Sequence, residues 1–371
     1  MNIGELRIAF FGSSLVSSYW NGAATYYRGL LKELSGSCEI VFYEPDAFER
    51  QKHRDIPDPE WARIAPYSAD YDGVYRALES ARGADVIVKA SGVGVFDALL
   101  EREALSLRHG GNVVVFWDVD APATLARVKA DATDSFRDLI SRYDFIFTYG
   151  GGDSVIKGYR ELGARRCIPI YNALDASTHY PVAATRRFLG DLGFLGNRLP
   201  DREARVEEFF FYPARRLEGR RFTLGGNGWA GKAMPSSVRY LEHVYTYEHN
   251  AFNCSHRAIL NVNRQSMAET GFSPPTRIFE AAGAAACIIT DCWEGIDMFL
   301  EPGKEVLSAS CGDEVADLLA ALTERDARRI GWAARRRMLA QHTYAHRAAE
   351  VERALSLRTR SGACVRAEVS R

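Results

Sequence analysis

No two of the seven cysteines form a C-x-x-C pair, and the set is odd and scattered. That pattern points to a reducing compartment and away from a disulfide framework or a zinc site. The eight histidines form no H-E-x-x-H and no zinc-finger set with the cysteines. The first strand-like run is not followed by G-x-G-x-x-G, which weighs against a dehydrogenase. No apolar run approaches the ~20 residues that cross a bilayer. The start, MNIGELRIAFFG, lacks a basic n-region and a long apolar core, so no signal peptide is expected. Charge of one sign is missing too: the formal net charge is -1. No global field therefore draws nucleic acid or an anionic membrane. These absences predict a cytoplasmic protein.

What is present is ordinary for a soluble chain, with 47% hydrophobic and 26% charged residues. The 371 residues suggest two domains. Short apolar runs recur at 6–12, 38–44, 84–92, 112–120, 143–151 and 167–174, with helical patterns between them. Most are continuous rather than alternating, as in parallel strands covered on both faces. The segment 45–70, rich in Pro and charge, reads as a long surface excursion. The rhythm restarts at FLGDLGFLGN (188–197) and continues through strands at 221–228 and 238–244, a helix running into a strand over 251–264, a helix and strand within 276–295, and a strand at 304–310. Two terminal helices follow, at 312–323 and 325–341. The fold class is α/β, with two Rossmann-like doubly wound domains facing a central cleft. The boundary lies near DASTHYPV, giving domains 1–178 and 179–342. Residues 343–357 form a further amphipathic helix, open to packing back on the first domain. The tail 358–371 is polar and expected to be disordered.

Ligands of open α/β sheets sit beyond the carboxyl ends of the strands. At such an end, TGFSPPT leads into the helix TRIFEAAGAAA. Ser273, Thr276 and the amides of the helix start make an anion site suited to phosphate. Glu280 lies four residues after Thr276 on the same face, placed to accept two hydrogen bonds from a ribose diol. The alternative is a solvated Glu280 behind two capping residues. In LNVNR, Asn263 and Arg264 end a strand and would face the same ligand. In GSSLVSSYWNG, Gly12 and Ser13 end the first strand, and Asn21 and Gly22 open the next helix; an ordinary βα turn is the alternative. Asp118, Asp120 and Lys89 end neighbouring strands and are candidates for general-base work on an acceptor hydroxyl. Asp120 could equally cap the helix that starts at Ala121–Pro122. DVD (118–120) is a D-x-D at a strand end.

SPPTRIFEAAGAAACIITDCWEGIDMFLEPGKEVL, FWDVDAPATLARV, DLGFLGNRLPDREARVE and the N-terminal FFGSSLVSSYWNGAATYYRGLLKEL resemble group 1 glycosyltransferases of GT-B fold. They look most like the spore-maturation (CgeB-like) branch, over roughly residues 6–345. The resemblance implies that Glu280 binds the nucleotide ribose of a UDP-type sugar donor. The family's diphosphate cations match Asn197 and Arg202, with Arg198 adjacent. The family's second carboxylate, eight positions before Glu280, is replaced by Phe272. Val244 and Tyr245 match the turn that holds the base. Trp293 and Glu294 match a turn that meets the donor's sugar and phosphates, with a simple turn-sealing role as the alternative for Trp293. The implied activity is hexosyl transfer to a hydroxyl-bearing small molecule, glycan or lipid. Neither cofactor nor metal is expected, because GT-B enzymes hold the diphosphate with cations and a helix dipole. The basic amphipathic helix 325–338 reads as a solvated face, and a lipid acceptor would leave a peripheral membrane contact open. A nucleotide-sugar epimerase and a non-catalytic two-lobed sugar- or nucleotide-binding protein are the rival readings.

Overall fold

The computed structural model describes residues 6–19 and 21–368, with side chains described to Ser356. The sequence readings at residues 1–5 and at the tail's last three residues lie outside the described residues. The chain divides into two compact units, Met1–Tyr171 with Tyr344–Arg371, and Asn172–Thr343.

The first unit runs β1 (Leu6–Phe11), α1 (Ala24–Leu34), β2 (Cys38–Asp46), β3 (Arg63–Ser68), α2 (Tyr71–Ala81), β4 (Val86–Ala90), α3 (Asp97–Ser106), β5 (Val113–Asp118), α4 (Ala121–Ala130), β6 (Phe145–Thr148), α5 (Gly152–Glu161) and β7 (Cys167–Pro169). Its sheet order is β3-β2-β1-β4-β5-β6-β7, parallel throughout. Ile8, Phe10, Phe42, Val114 and Phe116 are buried from both sides, which explains the unbroken apolar runs. Each such side chain contributes roughly 1.5–3 kcal/mol of transfer free energy.

The second unit runs β8 (Gly190–Leu195), α6 (Pro200–Val206), a π-helical turn Glu207–Phe211, α7 (Tyr212–Arg216), β9 (Phe222–Gly225), β10 (Val238–Tyr240), α8 (His249–Cys254), β11 (His256–Asn261), α9 (Gln265–Thr270), α10 (Thr276–Gly283), β12 (Ile288–Asp291), β13 (Leu307–Ala309), α11 (Gly312–Ala321) and α12 (Glu324–Gln341). Its parallel sheet has the order β10-β9-β8-β11-β12-β13. The strand order reverses between β1 and β4 in one sheet and between β8 and β11 in the other. Those switch points are where open α/β sheets bind ligands.

Three sequence expectations change. The excursion 45–70 contains β3, an edge strand that accommodates Pro66 because an edge needs only one row of hydrogen bonds. Residues 172–178 belong to the second unit. The Leu174 N–H donates to the His342 carbonyl at 2.8 Å, and Asn250 Nδ2 donates to the Thr178 carbonyl at 2.9 Å. The tail continues the last helix, α13 (Tyr344–Glu368), rather than losing structure after 357. It contains no proline, and an existing helix propagates through Arg, Ala and Glu at little cost. α13 packs on α1, where Gly29 makes room for the Tyr344 ring: a Cβ there would stand 2.2 Å from ring carbons. Among the described residues no helix is long and apolar enough to cross a membrane.

Candidate functional site

At the switch point of the second unit, β8 ends at Leu195 and turns at Gly196. A Cβ on Gly196 would lie 2.9 Å from Arg202 Nη2 and 3.2 Å from Arg277 Nη2, so both guanidiniums lie over this bare backbone. The Phe194 ring supports both, 5.6 Å from Arg202 and 5.0 Å from Arg277. Arg202 donates to the Asn197 carbonyl, and its Nε is buried without a partner. Arg277 donates to Asn261 Oδ1 at 3.0 Å and to the Leu195 carbonyl. Among the described residues neither arginine is in an ion pair. Burial, then the Arg202 charge, pushes Arg277 down to about 9, against the pull of Glu280 and Asp291. Burial also lowers Arg202. Two adjacent, sheltered cations without a carboxylate favour an anion strongly.

The other basic candidates differ. Arg198 is paired with Glu203 at 2.7 Å and Arg264 with Asp201 at 2.6 Å, both at the surface. The Asn197 side chain closes a turn by accepting the Asn227 N–H at 2.9 Å. Asn263 is buried, takes its backbone support from Asp291, and keeps its Nδ2 without a partner. Asp291 is itself fully buried and paired with Arg205 at 2.6 Å. Arg277 stands beside Arg202 in this cluster, and the motif reading passed over it. Its signal was its place beside Thr276 in the helix start, but its partner Gly196 is remote in sequence.

The loop before α10 is held by backbone. The Phe272 N–H donates to the Glu294 carbonyl at 2.6 Å, and Phe272 adopts φ 45, a left-handed conformation uncommon for a bulky residue. Its ring lies on Gly295, where a Cβ would stand 2.3 Å from it. Phe272 thus joins the 271–276 loop to the turn after β12, and Glu294 is exposed beside it. Trp293 is 6% exposed, with Nε1 3.4 Å from Thr290 Oγ1, a side chain that seals the turn. The Ser273 hydroxyl donates to the Gly271 carbonyl at 2.9 Å. The N-cap position of α10 is Pro275 and carries no side-chain cap, so Thr276 is the first helical residue.

Glu280 follows one turn later. His179 and His249 stand next to it, with one potential ligand atom from each of the three within 4.8 Å of the others. Burial holds His249 below the ordinary imidazole range, against the charge of Glu280. Val244 is buried against Gly225 at the end of β9, while Tyr245 is exposed and stacks on Tyr247.

In the first unit, Gly12 continues β1 by donating to the Tyr43 carbonyl. Ser13 Oγ donates to Asn21 Oδ1 at 2.8 Å, and Asn21 Nδ2 donates to the carbonyls of Ser14 and Ser17. This pair therefore locks its own loop, and Gly22 lies open beside it. Arg50, from the supposed excursion, donates to the carbonyls of Ser13 and Val93, with its Nε buried and unpartnered. Lys89 is buried and paired with Asp97 at 2.7 Å. Asp118 is buried and accepts from Ser91, the Asp120 N–H, Thr124 and the Tyr159 hydroxyl. Asp120 is exposed at the N-cap position of α4, and its side chain makes no capping bond.

Solved structures superimpose on almost the whole chain. HepE of Anabaena in complex with UDP and glucose superimposes with a TM-score of 0.67 at 12% identity, covering 95% of this chain and 99% of that one. Sucrose-phosphate synthase from Thermosynechococcus elongatus gives a TM-score of 0.67 at 11% identity, covering 96% and 100%. The fold is GT-B. An E. coli trehalose-6-phosphate structure bound with UDP-2-fluoro glucose shares this GT-B architecture at a TM-score of 0.65 and 10% identity, covering 94% and 98%. Residues 202–353 match the sequence model of the family "Glycosyl transferase-like". This GT-B segment includes Arg202, Arg277 and Glu280. No curated protein sequence matches the chain.

Proposed function

We propose that the protein transfers a hexosyl group from a UDP-linked sugar to a hydroxyl-bearing acceptor in the cytoplasm, within the spore-maturation (CgeB-like) branch that its motifs resemble. The observation that carries this reading is the pair Arg202 and Arg277, both sheltered and without a carboxylate at the end of β8. The diphosphate lies on them and on the amides at the start of α10. Glu280 takes the ribose diol, and Val244 and Tyr245 border the base. Glu294 takes the sugar hydroxyls, which the family's missing carboxylate at position 272 would otherwise contact. Negative charge grows on the leaving diphosphate, so fixed cations aimed there supply the main rate effect, without a metal on the phosphates. UDP and UDP-sugar complexes among the GT-B structures support the donor class. The first unit holds the acceptor. In an inverting reaction, Asp120 is the base: it is exposed, whereas Asp118 and Lys89 are buried. In a retaining reaction, the leaving phosphate takes the proton.

Calorimetric titration with UDP and UDP-glucose tests the site. Arg202→Ala and Glu280→Ala are each expected to weaken binding ~10–100-fold, the equivalent of losing one hydrogen bond to a charged group, about 1.5–3 kcal/mol. Unchanged affinity in both variants refutes the assignment. Turnover of a UDP-sugar into its epimer without an acceptor would favour the epimerase reading instead.

A further inference from the structure

We propose that His179, His249 and Glu280 form a binding site for a divalent transition-metal ion of the zinc class. One ligand atom from each residue lies within 4.8 Å of the other two. The residues come from three places in the second unit: the stretch before β8, the first residue of α8, and the middle of α10. Their separation in sequence hides the set from any spacing pattern.

Three features hold the cluster in place. Asn250, next to His249, accepts the Tyr180 N–H on Oδ1 at 3.3 Å and donates Nδ2 to the Thr178 carbonyl at 2.9 Å. Both neighbours of His179 are thereby tied to the start of α8. Gly283, one turn past Glu280, lets the same stretch lie against α10: a Cβ there would stand 2.4 Å from Leu174 Cδ1 and 3.0 Å from the His179 carbonyl. The Thr178 hydroxyl meets His179 Nδ1 at 2.9 Å, which orients the ring and leaves Nε2 for an ion.

Two imidazoles and one carboxylate are the donor set of open zinc sites, in which water or an incoming ligand takes the fourth position. Bonds of ~2.0–2.1 Å place tetrahedral ligands about 3.4 Å apart. The spread of up to 4.8 Å is wider than this, so binding an ion requires the Glu280 carboxylate and the His249 ring to turn towards the fixed His179 ring. Imidazole donors select zinc, cobalt or nickel over magnesium or calcium, which prefer all-oxygen sets. His179 is buried, and His249 and Glu280 are half-buried, so the cluster is sheltered yet reachable. Arg277, the nearby cation, is turned to Leu195 and Asn261. Glu280 is also the proposed ribose ligand, so ion and nucleotide would compete for it. That consequence rests on the donor reading, whereas the ion site does not.

The test is a cobalt(II) titration of the full chain, followed by visible d–d absorption and by equilibrium dialysis. One ion per chain is expected, bound at least ~10-fold more weakly by His249→Gln and by Glu280→Gln. Circular dichroism checks that each variant is folded, and either folded variant suffices. A wild-type protein that takes up no cobalt, or a folded variant that binds it as the wild type does, overturns the site. UDP is expected to release bound cobalt. If UDP binds without release, the ion site stands and the ribose assignment of Glu280 falls.

Discussion

Asp118 and Asp120 lie two residues apart at the end of β5 and have opposite surroundings. Asp118 is buried beneath four donors, one of them the hydroxyl of the buried Tyr159. Replacing it by Ala leaves those donors without an acceptor, at about 1–3 kcal/mol for each one that finds no substitute. Asp118→Ala is expected to lose about 3 kcal/mol or more, read as a fall in the urea midpoint. Asp120→Asn is expected to move that midpoint far less, because the side chain is exposed and stays polar. If Asp120 is the base, turnover with acceptor falls ~10²–10⁴-fold while UDP affinity stays. Full turnover in the folded variant would assign the proton to the leaving phosphate. Sequence alone placed both acids at a strand end, correctly, but could not rank them. Ser91, Thr124 and Tyr159, the groups that bury Asp118, come from other elements.

At the scale of elements, α10 shows why an alanine-rich helix carries polar residues. Ala281 and Ala282 are fully buried, and Gly331 of α12 meets the turn at Ala285, where a Cβ would stand 2.1 Å from a carbonyl. Arg335 donates to the Gly283 carbonyl at 2.6 Å and so closes the C-terminal end of α10. Close packing fixes the helix, and the helix then presents Arg277 and Glu280. The strands, α10 and the Glu280 position were legible because apolar periodicity and helix-start chemistry are local. Arg277, Arg50 and the two histidines were not, because each acts through a partner far along the chain. The edge strand β3 and the helical tail were missed for a related reason: neither has a strong apolar pattern, and both are set by what lies next to them. α1 and α13 offer a test of that dependence. Gly29→Ala would drive a methyl into the Tyr344 ring, an overpacking that typically costs about 1–3 kcal/mol. The expected result is a lower melting temperature with earlier proteolysis within α13. An unchanged melt and digest would mean that the contact between α1 and α13 contributes little.

Across the whole molecule, the two units carry buried titratable groups of opposite pH response. In the first unit, burial pushes the Glu101 carboxyl up to about 7, only partly offset by Lys89. The folded state then keeps a proton that the unfolded chain releases near 4.5. Glu101 therefore makes the first unit less stable as pH rises from 4.5 to 7. In the second unit, burial pushes His256 down to about 4, with Nδ1 held 2.8 Å from the Phe252 carbonyl. The unfolded chain takes up a proton near 6.5 that the folded state refuses until about 4. His256 therefore makes the second unit less stable as pH falls from 6.5 to 4. Each of these differences is worth at most about 3.5 kcal/mol, at ~1.4 kcal/mol per tenfold change in proton affinity. Glu101→Gln removes the first response: it is expected to raise the stability of the first unit at pH 8 and to change little at pH 4.5. His256→Gln removes the second: relative to wild type, its effect on the second unit should become more favourable as pH falls from 6.5 to 4. Hydrogen exchange at β5 and β11 amides reports the two units separately. A Glu101→Gln effect that is the same at pH 8 and pH 4.5 would show that the Glu101 carboxyl titrates as an ordinary surface acid. The two units would then share one acid response, set by their exposed carboxylates, and only the His256 half of the prediction would remain.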